Sequence, residues 1–261
     1  MGSLGGKSPA NTYKSLLKVA DETNGVSTTT SQIEDGEGTS TCVSISDDSL
    51  KIKPQNDNTT TTLEVENESG ANILTVDTTN SCVKVNATQT YANTQILEFA
   101  SYRLVPTAGT HYFVPCSGNS FNQFAIAELA NGTGADPATT FDAGDTTDEL
   151  VNMLFYTPAN ITIDGVTFMV STDTDTDTEI NVHLYKVTMT NAGGTSDGNL
   201  TSGTLLANGA ATSVDRNVIK TVSCTIDSSS VSANEVIACF VENKTNTDDI
   251  NLRVQVLYHI N

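Results

Sequence analysis

The 261-residue chain has no tryptophan and few basic side chains, and both shortages count against particular functions. Lysine and arginine number 12 against 31 acidic residues, which gives a formal charge of −19. Proteins that track nucleic-acid phosphates or an anionic bilayer need a basic surface. We therefore expect neither nucleic acid nor membrane as a partner. Sugar clefts commonly use large aromatic platforms, so the missing tryptophan also counts against a glycan-cleaving enzyme.

Long apolar runs are also missing. No stretch approaches the 18 apolar residues of a membrane helix. Residues 1–10 are small and polar, unlike the apolar segment of a secretory signal. We therefore expect the protein to be made in a cytosol and to reach any outside location by assembly.

Metal-binding and catalytic motifs are scarce. The cysteines are odd in number, form no CxxC pair and are spaced too widely for a zinc ribbon, which favours structural thiols (Cys42, Cys82, Cys116, Cys224 and Cys239). The three histidines form no HxxxH or HExxH pair, and no GxSxG elbow occurs. His183 and His259 alternate with apolar residues, which predicts exposed or interface imidazoles. The sequence thus predicts no catalytic residue, no cofactor and no metal ligand.

Acidic residues are concentrated in the run 173–179, where they alternate with threonine. In an extended chain such acids share one face and could bind a hard cation. The EF-hand pattern fails, because Thr178 and Leu184 occupy the positions that need Gly and Glu. A solvated edge or loop is the favoured interpretation, with a calcium site as the alternative. The pairs Asp145/Asp148 and Asp248/Asp249 could serve a glycosidase, but acids are too abundant here for pairs to be informative.

Composition and alternation indicate an all-β protein. Thr, Val and Ile favour sheet, while Asn, Asp and Gly favour turns. Residues 95–261 carry long apolar or alternating runs, among them residues 121–129, 150–156, 161–170, 180–184, 222–226, 236–241 and 252–260. Asp164-Gly165 predicts a bulge or turn within one of these runs. The spacing predicts an antiparallel sandwich of jelly-roll type.

Residues 33–94 have a different pattern. Short alternating pairs predict brief strands separated by polar turns (Val43/Ile45, Leu50/Ile52, Leu63/Val65, Leu74/Val76 and Val83/Val85). So few apolar side chains bury too little surface to offset the entropy of ordering the segment alone. We expect small apolar faces that pack against copies of themselves in a slender trimeric β stalk. A disordered linker is the alternative.

The N-terminal segment, residues 1–32, predicts a short helix. Ser8 is a plausible N-cap and Pro9 suits the first helical position. An apolar stripe at helical spacing then follows (Tyr13, Leu16, Leu17 and Ala20). Because so short a helix is marginal in water, its stripe should dock on the rest of the chain or on a partner.

Several segments resemble structural proteins of tailed bacteriophages. Residues 7–17 are similar to an "SPA-TYK-LL" opening found in many of them, and residues 34–39, 43–46, 50–53 and 74–79 also resemble those proteins. Residues 254–260 are similar to C-terminal domains encoded by uncultured marine phages. The resemblance implies a virion surface location after assembly in the host cytoplasm. It also implies an N-terminal segment anchored to capsid or tail and an outward C-terminal domain.

Together these features predict an intertwined, non-enzymatic homotrimer, a spike or fibre of the virion surface that has three parts. Residues 1–32 form a docking arm, 33–94 a stalk and 95–261 a sandwich head. Its partners are copies of itself, other virion proteins and a host surface receptor or glycan. The alternatives are a capsid cement or decoration protein and a virion-mounted polysaccharide depolymerase.

Overall fold

The computed structural model describes residues 16–21, 23–86, 90–116, 130–139, 150–174, 177–189 and 200–261. All the secondary-structure elements with bounds in these ranges are strands, which confirms the all-β prediction. The chain divides into two compact units, residues 1–92 and 93–261. Within the described ranges, no helix is long and apolar enough to cross a membrane.

The first unit contains two four-stranded antiparallel sheets in which neighbouring strands follow one another along the chain. One sheet consists of β1 (Lys18–Val19), β2 (Ser31–Glu34), β3 (Ser40–Ile45) and β4 (Leu50–Ile52). The other consists of β5 (Leu63–Glu66), β6 (Asn72–Asp77), β7 (Cys82–Val85) and β8 (Thr90–Tyr91). The short alternating pairs predicted from the sequence therefore all lie in strands.

The predicted N-terminal helix is not present in the part of it that is described. Lys18 and Val19 pair with Glu34 and Ile33 as strand β1, and Leu16, Leu17 and Ala20 lie outside any helix. Tyr13 lies outside the described residues. β-Branched Val19 opposite Ile33 gains cross-strand contacts that a marginal helix of this length cannot offer.

The second unit contains two larger antiparallel sheets. The strands are β9 (Thr94–Leu104), β10 (His111–Val114), β11 (Leu154–Tyr156), β12 (Ile161–Thr172), β13 (Thr178–Met189), β14 (Leu200–Val214), β15 (Lys220–Ser223), β16 (Thr225–Ile226), β17 (Ser230–Val231), β18 (Glu235–Asn243) and β19 (Ile250–Ile260). The six-stranded sheet has the order β10-β18-β13-β14-β16, with β11 also paired to β18. The five-stranded sheet has the order β15-β12-β19-β9, with β17 also paired to β12.

A shared hydrophobic cluster joins these two sheets. Phe99, Phe168 and Val254 contribute from the five-stranded sheet, and Leu184 and Val241 from the six-stranded sheet, all fully buried. Alternation explains this arrangement, since every second residue of each strand points to the same face. The register of β12 against β19 shifts between Ile163 and Gly165, which confirms the predicted bulge.

Two sequence predictions need correction in this unit. The buried strand predicted over residues 150–156 is only Leu154–Tyr156; Leu150 and Met153 are buried in a preceding turn closed by a hydrogen bond from Met153 N to Leu150 O at 2.9 Å. The alternating run 222–226 is divided between the sheets, since β15 pairs with β12 and β16 pairs with β14. The run predicted at residues 121–129 lies outside the described residues.

Candidate functional site

A buried cluster of two histidines and a glutamate lies on the six-stranded sheet. His111 is on β10, Glu242 on β18 and His183 on β13. His111 lies opposite Glu242 of β18, and His183 lies opposite Phe240 of the same strand. Phe240 and Glu242 are two residues apart on β18. Directly paired residues and residues two apart share a face, so these three side chains project from one side of the sheet.

This is the sheet face that points away from the shared hydrophobic cluster. On β13 and β18, Leu184 and Val241 belong to the cluster between the sheets, whereas Tyr185 and Phe240 belong to a second cluster on the outer face. The outer face is therefore apolar and buried, whereas alternation predicted a polar face with exposed or interface imidazoles. His111, His183 and Glu242 extend it and are 0%, 6% and 5% exposed.

The three side chains are close enough to share a ligand. One donor atom from each lies within 4.8 Å of the other two. His111 Nε2 is 3.8 Å from Glu242 Oε2. The two imidazoles meet edge to face, with centroids 5.0 Å apart. Asn181, opposite Glu242 on β13, donates a 2.8 Å hydrogen bond from Nδ2 to Glu242 Oε2.

Both imidazoles are held in the neutral form. Burial lowers the pKa of His183 to about 4, and the neighbouring His111 acts in the same direction. Burial likewise lowers the pKa of His111, against the opposing effect of Glu242. Desolvation disfavours the charged imidazolium, which explains both shifts. A neutral imidazole offers one lone pair, so each histidine is prepared to act as a ligand.

The ring nitrogens of this cluster are unsatisfied within the described part of the chain. Neither nitrogen of His183 has a hydrogen-bond partner of suitable geometry there, and the ring of His111 has only the backbone carbonyl of Gly132 beside it, which opposes the effect of burial on its pKa. An unpartnered buried polar group costs about 1–3 kcal/mol, so native proteins rarely leave several side by side. Asp136, at the rim, places Oδ1 3.6 Å from His183 Nδ1, too far for a good hydrogen bond. The cluster thus brings polar atoms with unused bonding capacity together with a buried carboxylate.

A second candidate site is the apolar face of the sheet β5–β8. The register aligns Leu63, Val76 and Val83 across three strands, and Val65, Leu74 and Val85 beside them. None of these six side chains is buried, and Val65 and Val83 are 43% and 39% exposed. The sheet β1–β4 has a similar face, where Val43 pairs with Ile52 and Ile45 with Leu50, which is 66% exposed. Both sheets therefore expose apolar surface.

The opposite face of β5–β8 is polar and internally bonded. Asp77 is buried, and Lys84 Nζ lies 3.1 Å from its Oδ2. Asn80 donates to both carboxylate oxygens, from its backbone N at 2.9 Å and its Nδ2 at 2.8 Å. These bonds, with Lys84, lower the pKa of Asp77 to about 2. On one face of this sheet the buried carboxylate has its hydrogen-bond partners, while the other face is apolar and not buried.

The acidic residues singled out in the sequence have structural partners where they are described. Asp173 Oδ1 accepts a 3.0 Å hydrogen bond from the backbone N of Asp249. Glu179 Oε1 pairs with Lys244 Nζ at 2.8 Å. Asp248 accepts from Thr178, and Asp249 pairs with Arg103. Asp145, Asp148 and Asp175 lie outside the described residues.

Sequence reasoning missed Glu242 and the convergence of the histidines. One usable signal was present, because Glu242 directly follows the continuous apolar run of β18. A charged residue that extends a strand buried on both faces needs a partner nearby. The third histidine lies elsewhere: His259, 8% exposed, places Nδ1 2.9 Å from both carboxylate oxygens of Asp164 at the β12 bulge.

Comparison with known proteins finds little. No protein-family model matches the chain, and no curated protein matches it. Among solved structures, the chain is similar to the crystal structure of an aminopeptidase from the marine sediment archaeon Thaumarchaeota archaeon, at 9% identity and a TM-score of 0.32. The match covers 71% of this chain and 38% of that one, so this chain spans well under half of its length. A likeness at this level carries no argument about function.

Proposed function

We propose that this chain is a non-enzymatic structural protein of a virion surface that assembles with copies of itself through residues 16–92. The observation that carries the proposal is the distribution of buried apolar side chains. Among the described residues they all lie in 93–261, and the first unit buries only Thr75 and Asp77. A sheet with an unburied apolar face has little independent stability, so another surface must complete it.

A further copy of the same chain is the partner that fits these faces. The faces are aliphatic, with no charge among the six residues of the β5–β8 face. Such a surface is self-complementary, and packing it around a symmetry axis lets each copy supply one wall of a shared core. We place three copies in the assembly, because three short-stranded walls enclose a slender core. We assign residues 93–261 to a jelly-roll head.

The virion location rests on the resemblance to tailed-phage structural proteins described above. In this proposal the N-terminal segment docks on capsid or tail, and the C-terminal unit points outward for attachment to a host or surface. The charge of −19 is compatible with a solvated outer surface that resists non-specific association.

Mass photometry of the full chain tests the self-association. We expect a particle of three times the chain mass of 27.5 kDa. Val65→Lys should convert it to monomer, because a charge in the shared apolar core is costly to bury. Glu66→Lys is the matched control: Glu66 is the next residue on β5 and is exposed, so the oligomer should persist. A compact monomer from the unmodified chain at micromolar concentration would exclude the proposal.

Adsorption tests the role on the virion. Particles that lack this chain should lose attachment to their host while keeping their heat stability. Particles that still adsorb but rupture at lower temperature would instead identify a cement protein. Cleavage of host-envelope glycans by the purified chain would identify a depolymerase.

A further inference from the structure

We propose that His111, His183 and Glu242 form a structural binding site for one divalent transition-metal ion, with Zn²⁺ the best fit. The site belongs to the second unit and is independent of the self-association proposed for the first. Its ligands come from three adjacent strands, so the backbone of the sheet fixes their spacing.

The donor separations are close to those that a bound ion requires. Four ligands about 2.0–2.1 Å from Zn²⁺ in a tetrahedron lie roughly 3.3–3.5 Å from one another. His111 Nε2 and Glu242 Oε2 are 3.8 Å apart, and all three donors fall within 4.8 Å. The separations are therefore within about 1.5 Å of the tetrahedral values.

The unsatisfied imidazoles are the second and independent observation. His111 and His183 are more than nine-tenths buried, neither ring nitrogen of His183 has a hydrogen-bond partner within the described residues, and the ring of His111 has only the backbone carbonyl of Gly132 beside it. A metal ion would satisfy one nitrogen of each ring. It would also neutralise the buried carboxylate of Glu242, which has no lysine or arginine partner among the described ion pairs.

The surroundings supply the supporting contacts that metal ligands usually have. Asn181 holds Glu242 in place through a 2.8 Å hydrogen bond. Asp136, whose side chain is 61% exposed, lies at the rim beside His183 Nδ1 and can orient that imidazole or supply a fourth oxygen. Groups in this position typically change metal affinity by about 10–100-fold.

The donor set selects the type of metal. Two imidazoles and one carboxylate suit Zn²⁺ and its transition-metal neighbours, whereas Ca²⁺ and Mg²⁺ prefer oxygen ligands alone. The thiols of Cys116, Cys224 and Cys239 do not compete, because they lie in or against the hydrophobic cluster between the two sheets, on the opposite face of the six-stranded sheet from the ligands. The ligands are buried, which fits a closed structural site better than a catalytic site that needs an open position.

Metal titration of the full, untagged chain under reducing conditions tests the proposal. We expect one equivalent of Zn²⁺ per chain, displacement of Co²⁺ with loss of its visible absorption, and a raised melting temperature with Zn²⁺ but not Mg²⁺. His183→Gln and Glu242→Gln should each weaken binding by about 100-fold or more, and Asp136→Asn by about 10-fold.

His259→Gln is the matched control, since it removes the histidine that lies outside the cluster, and its affinity should equal that of the unmodified chain. Imidazole NMR provides a readout that needs no variant: Zn²⁺ should shift the ring signals of His111 and His183 and leave those of His259 unchanged. Absence of saturable one-to-one binding, or an equal loss of affinity in His259→Gln, would overturn the assignment.

Discussion

The two units of the chain use the same kind of strand but stabilise it differently. In residues 93–261, one face of each large sheet enters a shared cluster, and Phe99, Phe168 and Val254 are fully buried. In residues 16–92, apolar residues also alternate along strands, yet none of those described is buried. Alternation alone therefore does not make a core, because each apolar face also needs a second surface to cover it.

The difference also appears in the polar interactions. The first unit holds its buried carboxylate in a local network of Asp77, Asn80 and Lys84. The second unit buries an apolar cluster and carries its polar cluster, around His183 and Glu242, on the outer face of one sheet. Stability within one chain should thus come mainly from local hydrogen bonds in the first unit and from apolar burial in the second.

The largest expected effect compares one apolar truncation in each unit. Phe168→Ala should destabilise the second unit by about 3–5 kcal/mol at every protein concentration, because Phe168 is fully buried inside one chain. Leu74→Ala should cost about 1 kcal/mol or less in dilute protein, where the first unit is not covered by copies. At concentrations that favour assembly, the free-energy cost of Leu74→Ala should rise, because copies of the chain then cover the apolar face.

Urea denaturation followed by far-ultraviolet circular dichroism, repeated over a wide concentration range, measures both costs. The loss of unfolding free energy caused by Leu74→Ala should depend on protein concentration, whereas the loss caused by Phe168→Ala should stay constant. If Leu74→Ala were as damaging as Phe168→Ala in dilute protein, the first unit would have a core of its own and the contrast would disappear.

Much of the strand pattern was predictable, because it depends on local alternation. The pairs Val43/Ile45 and Leu74/Val76 lie in strands as predicted, and Asp164-Gly165 forms the expected bulge. The prediction of an N-terminal helix was wrong for residues 16–20, the part that the structure describes. Helical spacing in a short segment does not prevent Val19 from pairing with Ile33. Pairing between distant segments overrides weak local preference.

The histidine cluster was not predictable by the same reasoning. Its ligands come from β10, β13 and β18, which are distant in the chain and become neighbours only through the strand order of the sheet. The prediction for His183 was an exposed or interface imidazole on a polar face. That face instead carries Tyr185 and Phe240 in a second buried cluster that also includes Met153, so alternation placed the side chain on the correct face but misjudged its environment.

A smaller effect should appear in acid, in the first unit. The pKa of Asp77 is lowered from 3.8 to about 2, so its ionised form is favoured by folding. That stabilisation is present above pH 3.8 and is lost as the pH falls from about 4 to about 2. Asp77→Asn should lower the melting temperature at neutral pH and flatten its decline over this window.

Thermal melts by circular dichroism at several pH values measure this slope. Asp47→Asn is the matched control, because Asp47 lies in an exposed turn of the same unit and should leave the acid profile unchanged. The pKa values of Asp21 and Asp35 are also lowered. The melting temperature of Asp77→Asn should therefore still fall somewhat as the pH decreases. An unchanged profile in Asp77→Asn would show that the network does not stabilise this unit.

The smallest effects come from removing one ion-paired lysine in each unit. Lys84 pairs with a carboxylate whose side chain is 0% exposed, whereas Lys244 pairs with Glu179, with side chains 55% and 29% exposed. Lys84→Met should lower the melting temperature measurably, because Asp77 is left buried without its cation. Lys244→Met should change it by about 1 °C or less, because solvent screens an exposed pair and the apolar cluster stabilises that unit. Differential scanning calorimetry of both variants measures the two changes in melting temperature. A larger change in Lys244→Met than in Lys84→Met would show that local polar bonding does not distinguish the first unit.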